Sequence, residues 1–228
     1  ATAVPHLGKE DLCTLNPGVV EPQGNIGVVA PGTGLGTAFL VWTGERYKPL
    51  ASEGGHTAFA PRTSQEIDLL NYLRPRYRQV SFERICSGKH LPNIYEFLLD
   101  SGSYEEPEWL RTELAQVQDR TPVIVQAALA QKAEICTATL DLFVTTLGTA
   151  ISNMAITILP RGGIYIGGGI PPRILPRLQQ PDFLEAVAHK GRFHDLSLKM
   201  PVHVILTPRI ALYGAALSAM DMVRSRVR

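Results

Sequence analysis

A chain of 228 residues, 45% hydrophobic and 19% charged, is long enough to bury one large core or two small ones. Its 22 basic and 21 acidic residues leave a formal charge of +1, so no overall field draws it to nucleic acid or to an anionic membrane. Three widely spaced cysteines, Cys13, Cys86 and Cys136, form no C-x-x-C pair, which argues against a disulfide framework and a zinc site and points to a reducing cytoplasm.

No apolar run is expected to reach the length of a membrane span, and the N-terminus reads as neither a signal nor a transit peptide. The opening "ATAVPHL" reads as the tail of a helix, and residues 1–24 as a truncated helix and linker. From Asn25 three strands are expected, at 26–31, 36–42 and 47–52, joined by a glycine-rich turn and by "TGER". Thr63 and Glu66 form a capping box ahead of Ile67, Leu70 and Leu73, and Pro75 ends that helix. A short helix follows Pro92, with Ile94, Phe97 and Leu98 on one side, and "SGSYEEPE" from Ser101 is a polar loop. Thr121-Pro122 starts the first of two helices that run to Ile158, the second long and apolar around Leu140 to Met154. "GGIYIGGGIPP" reads as a buried strand entering a glycine turn, with a helix through Leu175 and Leu178 after it. "VHVIL" is another buried strand, and "RIALYGAALSAMDMVRS" is a closing helix. Its basic end, Arg224, Arg226 and Arg228, suits the helix dipole.

The order is therefore βββαβαβα with extra helices inserted before the fourth strand. That is an α/β protein with a ribonuclease-H-like core, a mixed five-stranded sheet covered by helices on both faces.

Two glycine turns invite a ligand. Gly32-Thr33-Gly34-Leu35-Gly36 lies between two strands and is not a dinucleotide fingerprint, because Thr37 follows and the chain continues as strand. It fits either a hairpin that needs positive φ or a nest of backbone N–H groups that receives phosphate. Gly167-Gly168-Gly169 ends a central strand just before a helix, where ligands of open α/β sheets bind and a side chain would bar a base or ribose.

Glu53 and His56 flank Gly54-Gly55 after the third strand, and Glu83 lies in "SFERICSG". Carboxylates that accept and an imidazole that donates and accepts suit adjacent sugar hydroxyls. The same residues also fit a metal pair, a general base or a plain loop histidine, and Glu83-Arg84 fits a surface ion pair. His189, His194 and His203 read as structural, with a capped turn from Lys190 to Phe193, and Leu142, Phe143 and Leu147 as core.

Taken in order, "APGTGLGTAFL", "EGGHTAFAP", "FERICSG", "YIGGGIPPRI", "KGRF" and "LYGAAL" resemble the bacterial-type glucokinases. These are the hexokinase-related family without the zinc-binding cysteine motif, within the actin, Hsp70 and sugar-kinase fold group. The resemblance implies an actin-like ATPase domain in which Glu53, His56, Glu83 and Gly34 meet glucose. Gly32, Thr33, Gly34, Leu35 and Gly36 would face the ATP phosphates, and Gly167, Gly168 and Gly169 the adenosine. Mg2+ would accompany ATP, without protein ligands, and closure of two lobes would precede transfer to the 6-hydroxyl, the first step of glycolysis. It further implies a homodimer, beside the cytoplasmic setting and the absence of nucleic-acid and membrane partners read from cysteine usage and charge.

The sequence departs from the family at His90, where glycine is common. A D-x-G-G-T turn and an Asn-Asp pair, whose aspartate is the catalytic base, precede the matching segment in the family, and "ATAVPHL" resembles the helix after that pair. Residues 25–228 are accordingly expected to be the large lobe, with the base upstream of Ala1 and little turnover by the chain alone. Alternatives are a kinase for another hexose and a non-catalytic sugar-sensing module.

Overall fold

A computed structural model of the chain describes residues 1–226. Arg228, the last of the basic C-terminal group, lies outside the described residues. The strands β1 (Leu12–Asn16), β2 (Ile26–Pro31), β3 (Leu35–Trp42), β4 (Tyr47–Ser52), β5 (Gly163–Ile166) and β6 (Val202–Ile205) form one sheet. Their spatial order is β1-β6-β5-β2-β3-β4. β2, β5 and β6 are parallel, and the two hairpin-linked neighbours β3 and β4, like the far edge β1, pair antiparallel. The three early strands fall within one residue of their expected bounds.

The sheet has six strands rather than five among the described residues, and the extra one comes from the stretch read as linker. Leu12 to Asn16 pair with Ile205 to Val202, which satisfies backbone groups that β6 would otherwise present as an open edge. Alternate side chains add to this, Cys13 and Leu15 packing on the main core and Leu12 on the opposite face. At the N-terminus the expected helix is only a 3-10 turn, Val4–His6, because Pro5 sits in it and Leu7 is already extended.

β2 is central, and its alternation divides the core. Val29 faces the main cluster, while Ile26 and Val28 face a small cluster with Val4, Leu40 and Ile205. The main cluster is built on the long helix α5 (Glu134–Ile158), packed by α1 (Ser64–Leu73), α2 (Leu91–Asp100), α3 (Glu108–Ala115) and α4 (Thr121–Leu129). After β5 come α6 (Leu175–Leu178), α7 (Pro181–Ala188) and α8 (His194–Leu198), and α9 (Ile210–Arg226) closes the chain.

Two expectations are corrected here. α3 begins at the last residue of the expected polar loop and occupies a stretch for which no element was expected; its Leu110 and Leu114, four apart, are buried, a short signal beside a strongly polar neighbour. α5, at 25 residues, is also long and apolar enough to cross a bilayer, yet 72% of its most apolar stretch is buried inside the domain. It is the core helix, with Phe143, Val144, Leu147 and Ile151 fully covered.

Candidate functional site

The turn between β2 and β3 and the connections that leave β4 and β5 lie at one end of the sheet and gather there the residues singled out in the sequence. After β4 the chain makes a 3-10 turn, Gly54–His56, and Gly55 must be glycine there because a Cβ would stand 2.0 Å from the Leu35 carbonyl oxygen. That close contact sets His56 between two carboxylates. Its Nε2 lies 3.8 Å from Glu53 Oε2 and its Nδ1 4.0 Å from Glu83 Oε1. The side chains of Glu53 and His56 are 92% and 58% exposed, against 21% for Glu83, so the triad opens to solvent with Glu83 at its base.

Glu83 is fixed by its surroundings. It lies in a 3-10 turn, Phe82–Arg84, whose Phe82 is buried and packs edge-on against Phe59. Its Oε2 accepts the backbone N–H of Leu35 at 3.0 Å, and Gly34 makes room, since a Cβ there would meet that oxygen at 2.6 Å. The surface ion pair between Glu83 and Arg84 does not form. Arg84 turns instead to His90 Nε2, at 2.8 Å, and over the Tyr77 ring.

The glycine turn of 32–36 is tight for a different reason from the expected hairpin. None of Gly32, Gly34 and Gly36 has positive φ. Gly32 N–H donates to Gly34 C=O and Leu35 N–H to Glu83, which leaves Thr33 and Gly34 as the N–H groups to offer a ligand. Gly32 and Thr33 border a cavity of about 1150 Å³ that runs to Gly88, Thr121 and Gly169. Cβ positions on Gly32 and Gly169 would meet nothing, so both leave open space where the backbone borders the cavity. Gly167 and Gly168 stand behind, out of the cavity lining. Gly168 has φ +88° and a Cβ would clash with Pro31 C=O at 2.3 Å, whereas one on Gly167 would lie 3.5 Å from Ile205.

The sequence reading missed most of the cavity's polar lining. Thr121, taken only as a helix start, donates its hydroxyl to Gly88 C=O at 2.5 Å and ties α4 to the wall. Lys89, Asp119, Arg120 and Arg173 also border it; the polar runs "KH" and "QDR" are the local signal for the first three, and Arg173 has none beyond its place after the glycine turn. His90 is buried and its proton affinity is lowered, first by burial and then by the Arg84 charge. His203 is the expected structural histidine, bonded to Thr14 across the β1–β6 edge. Among the described residues no three His, Cys, Asp or Glu side chains gather to hold a metal ion.

A mixed sheet with this order, a glycine turn and an open carboxylate–imidazole triad beside a large cavity define an α/β domain of the actin-like ATPase and sugar-kinase class. The sequence pattern of the Glucokinase family matches residues 1–222, and the chain belongs to that family. It is 39% identical over 225 residues to a glucokinase of a Nostoc species, covering 93% of this chain and 66% of the relative. Among solved structures, a glucokinase from an Antarctic psychrotroph superposes with a TM-score of 0.82 at 32% identity, over 97% of this chain and 66% of that one. A ROK family glucokinase from Streptomyces griseus, solved with glucose and AMPPNP, shares the fold at a TM-score of 0.54 and 18% identity, over 86% of this chain and 60% of that one. The chain thus spans about two thirds of the length of the relatives it matches.

Proposed function

We propose that the whole protein transfers phosphate from ATP to the 6-hydroxyl of glucose, and that this chain supplies the sugar-binding wall and the nucleotide cavity. The observation that carries the reading is the convergence of Glu53, His56 and Glu83 within 4.0 Å contacts beside the turn at Gly32. Ionised carboxylates accept from sugar hydroxyls and the imidazole does both, so the triad suits a polyhydroxyl ring. Thr33 and Gly34 N–H groups and the open backbone at Gly32 and Gly169 suit phosphate and adenosine. Membership of the glucokinase family supports the assignment of glucose and ATP.

Magnesium belongs to this reading as an ion carried on the nucleotide. It would spread the charge of the phosphates, while the chain's own groups bind and orient. We infer further that residues 25–228 form the large lobe, that the aspartate accepting the hydroxyl proton lies outside residues 1–228, and that the whole protein works in the cytoplasm as a homodimer.

Titration calorimetry of residues 1–228 with glucose and with ADP, beside a coupled assay of ADP release, tests the reading. Weak binding of both ligands with little or no turnover is expected, turnover appearing when the upstream coding sequence is included. Robust turnover by residues 1–228 alone refutes an outside base, and absence of binding to either ligand refutes the site.

A further inference from the structure

We propose that Arg84 binds a phosphate group at the boundary between the recess beside His56 and the large cavity, and that His90 is the positioning residue that holds it there. The proposal rests on the reading above for the identity of the ligands, but not for the geometry. Arg84 is half-buried and borders two spaces, the cavity of about 1150 Å³ and a smaller recess of about 390 Å³ that it shares with His56, Tyr77 and two further cations, Arg76 and Arg78.

Both side chains that it contacts are uncharged. Nη1 lies 2.8 Å from His90 Nε2, and the guanidinium stands over the Tyr77 ring at 4.4 Å from its centre. A guanidinium only donates, so Nε2 must be the acceptor and His90 must carry its proton on Nδ1. Nδ1–H then donates to Ser87 Oγ at 3.0 Å, and the Ser87 hydroxyl donates to Glu83 C=O at 2.8 Å. The hydrogen bonds run in one direction, from Arg84 through His90 and Ser87 to the backbone of the residue that bears the sugar-facing carboxylate. Burial and the Arg84 charge keep the imidazole neutral, as this chain requires.

No carboxylate neutralises Arg84 among the described residues. The nearest in sequence, Glu83, spends Oε2 on Leu35 N–H, and Glu96 is held by Arg76 and Arg120, each at 2.6 Å. What remains is a fixed cation with N–H donors left over, facing open space. Its planar fork matches phosphate oxygens, and prior fixation lowers the entropy lost on binding. Two ligands carry that chemistry, the phosphates of a nucleotide and the ester of a sugar phosphate.

Calorimetric titrations of residues 1–228 with ADP, with glucose 6-phosphate and with glucose separate them, using Arg84→Gln, Arg84→Lys, His90→Gln and His90→Leu. A charge-assisted hydrogen bond is worth enough that Arg84→Gln should weaken one phosphate ligand about tenfold or more, with glucose unchanged. Loss confined to ADP assigns the nucleotide, and loss confined to glucose 6-phosphate assigns the product. Arg84→Lys keeps charge without the fork and should fall between, which retains a test if Arg84→Gln folds poorly. His90→Gln can still accept from Arg84 and donate to Ser87, so it should preserve affinity, whereas His90→Leu should imitate Arg84→Gln. Unchanged phosphate binding in both Arg84 variants overturns the Arg84 assignment while wild-type binding keeps the kinase reading intact. Unchanged binding in His90→Leu overturns the positioning role. A wild-type chain that binds neither phosphate ligand overturns this proposal and the reading under it.

Discussion

Glu83 receives the backbone N–H of Leu35 at 3.0 Å, so the carboxylate at the base of the triad is tied to the first residue of β3. Its other oxygen stays free to face His56 and a ligand. Glu83→Gln can keep the Leu35 contact through its amide oxygen but loses the charge and one acceptor. Glucose affinity should fall by about tenfold or more, the worth of a charged hydrogen bond, while the melting temperature moves little. Calorimetry and thermal denaturation on one preparation check both halves; undiminished affinity would remove Glu83 from the sugar site.

Two glycines make opposite predictions. Alanine at Gly34 meets only the Glu83 side chain, and the backbone there needs no positive φ, so Gly34→Ala should displace the carboxylate and weaken sugar binding in a folded protein. Alanine at Gly168 meets Pro31 C=O at 2.3 Å and must adopt φ +88°. Gly168→Ala should therefore cost about 1–3 kcal/mol of stability or more, because backbone on both sides must shift. Urea denaturation of the two variants tests the contrast, and equal stabilities would contradict it.

The capping box of α1 is a third test, away from the site. Thr63 Oγ1 accepts from Glu66 N–H at 3.2 Å, and buried Glu66 accepts in return from Thr63 N–H and also from Arg62 N–H. Thr63→Ala should cost about 1 kcal/mol, the usual loss of a cap. Glu66→Ala should cost more, since it strands two backbone donors and opens a buried space. The order of the two urea midpoints is the measurement, and a less destabilised Glu66→Ala would reverse the argument.

How much of this was legible follows from the range of each cause. β2, β3, β4 and α1 are set by local alternation, turn residues and a cap, all visible in sequence, and they appear within a residue or so of expectation. β1 was illegible as a strand because its partner, β6, is nearly 200 positions away along the chain, as Leu12 pairs with Ile205. Within the site, Glu53, His56 and Glu83 carried a chemical signature and do meet. The reason for Gly34, room for the Glu83 carboxylate, is a tertiary contact that no turn rule contains. Arg84 and His90 were invisible as a pair for the same reason. A buried histidine facing a guanidinium is defined by what surrounds it, and no local pattern around His90 marks the pair.

The last prediction concerns acid. Burial lowers the proton affinity of both His90 and His203, with the Arg84 and Lys89 charges adding to it at His90 and Glu83 opposing. In the unfolded chain each imidazole titrates near its ordinary value, about 6.5. Between that value and the lower folded one the unfolded state binds more protons, so stability rises with pH through this window and the full contribution is present above about 6.5. As pH falls through the folded values it is lost, with a slope of at most about 1.4 kcal/mol per pH unit for each histidine. His203 sits at the β1–β6 edge against Thr14 and Tyr165, far from the triad in its contacts, so His203→Gln should flatten part of the acid slope and leave glucose affinity unchanged. Urea denaturation of wild type and His203→Gln between pH 5 and 8 checks this, since an identical slope in the two proteins would exclude His203 as a source.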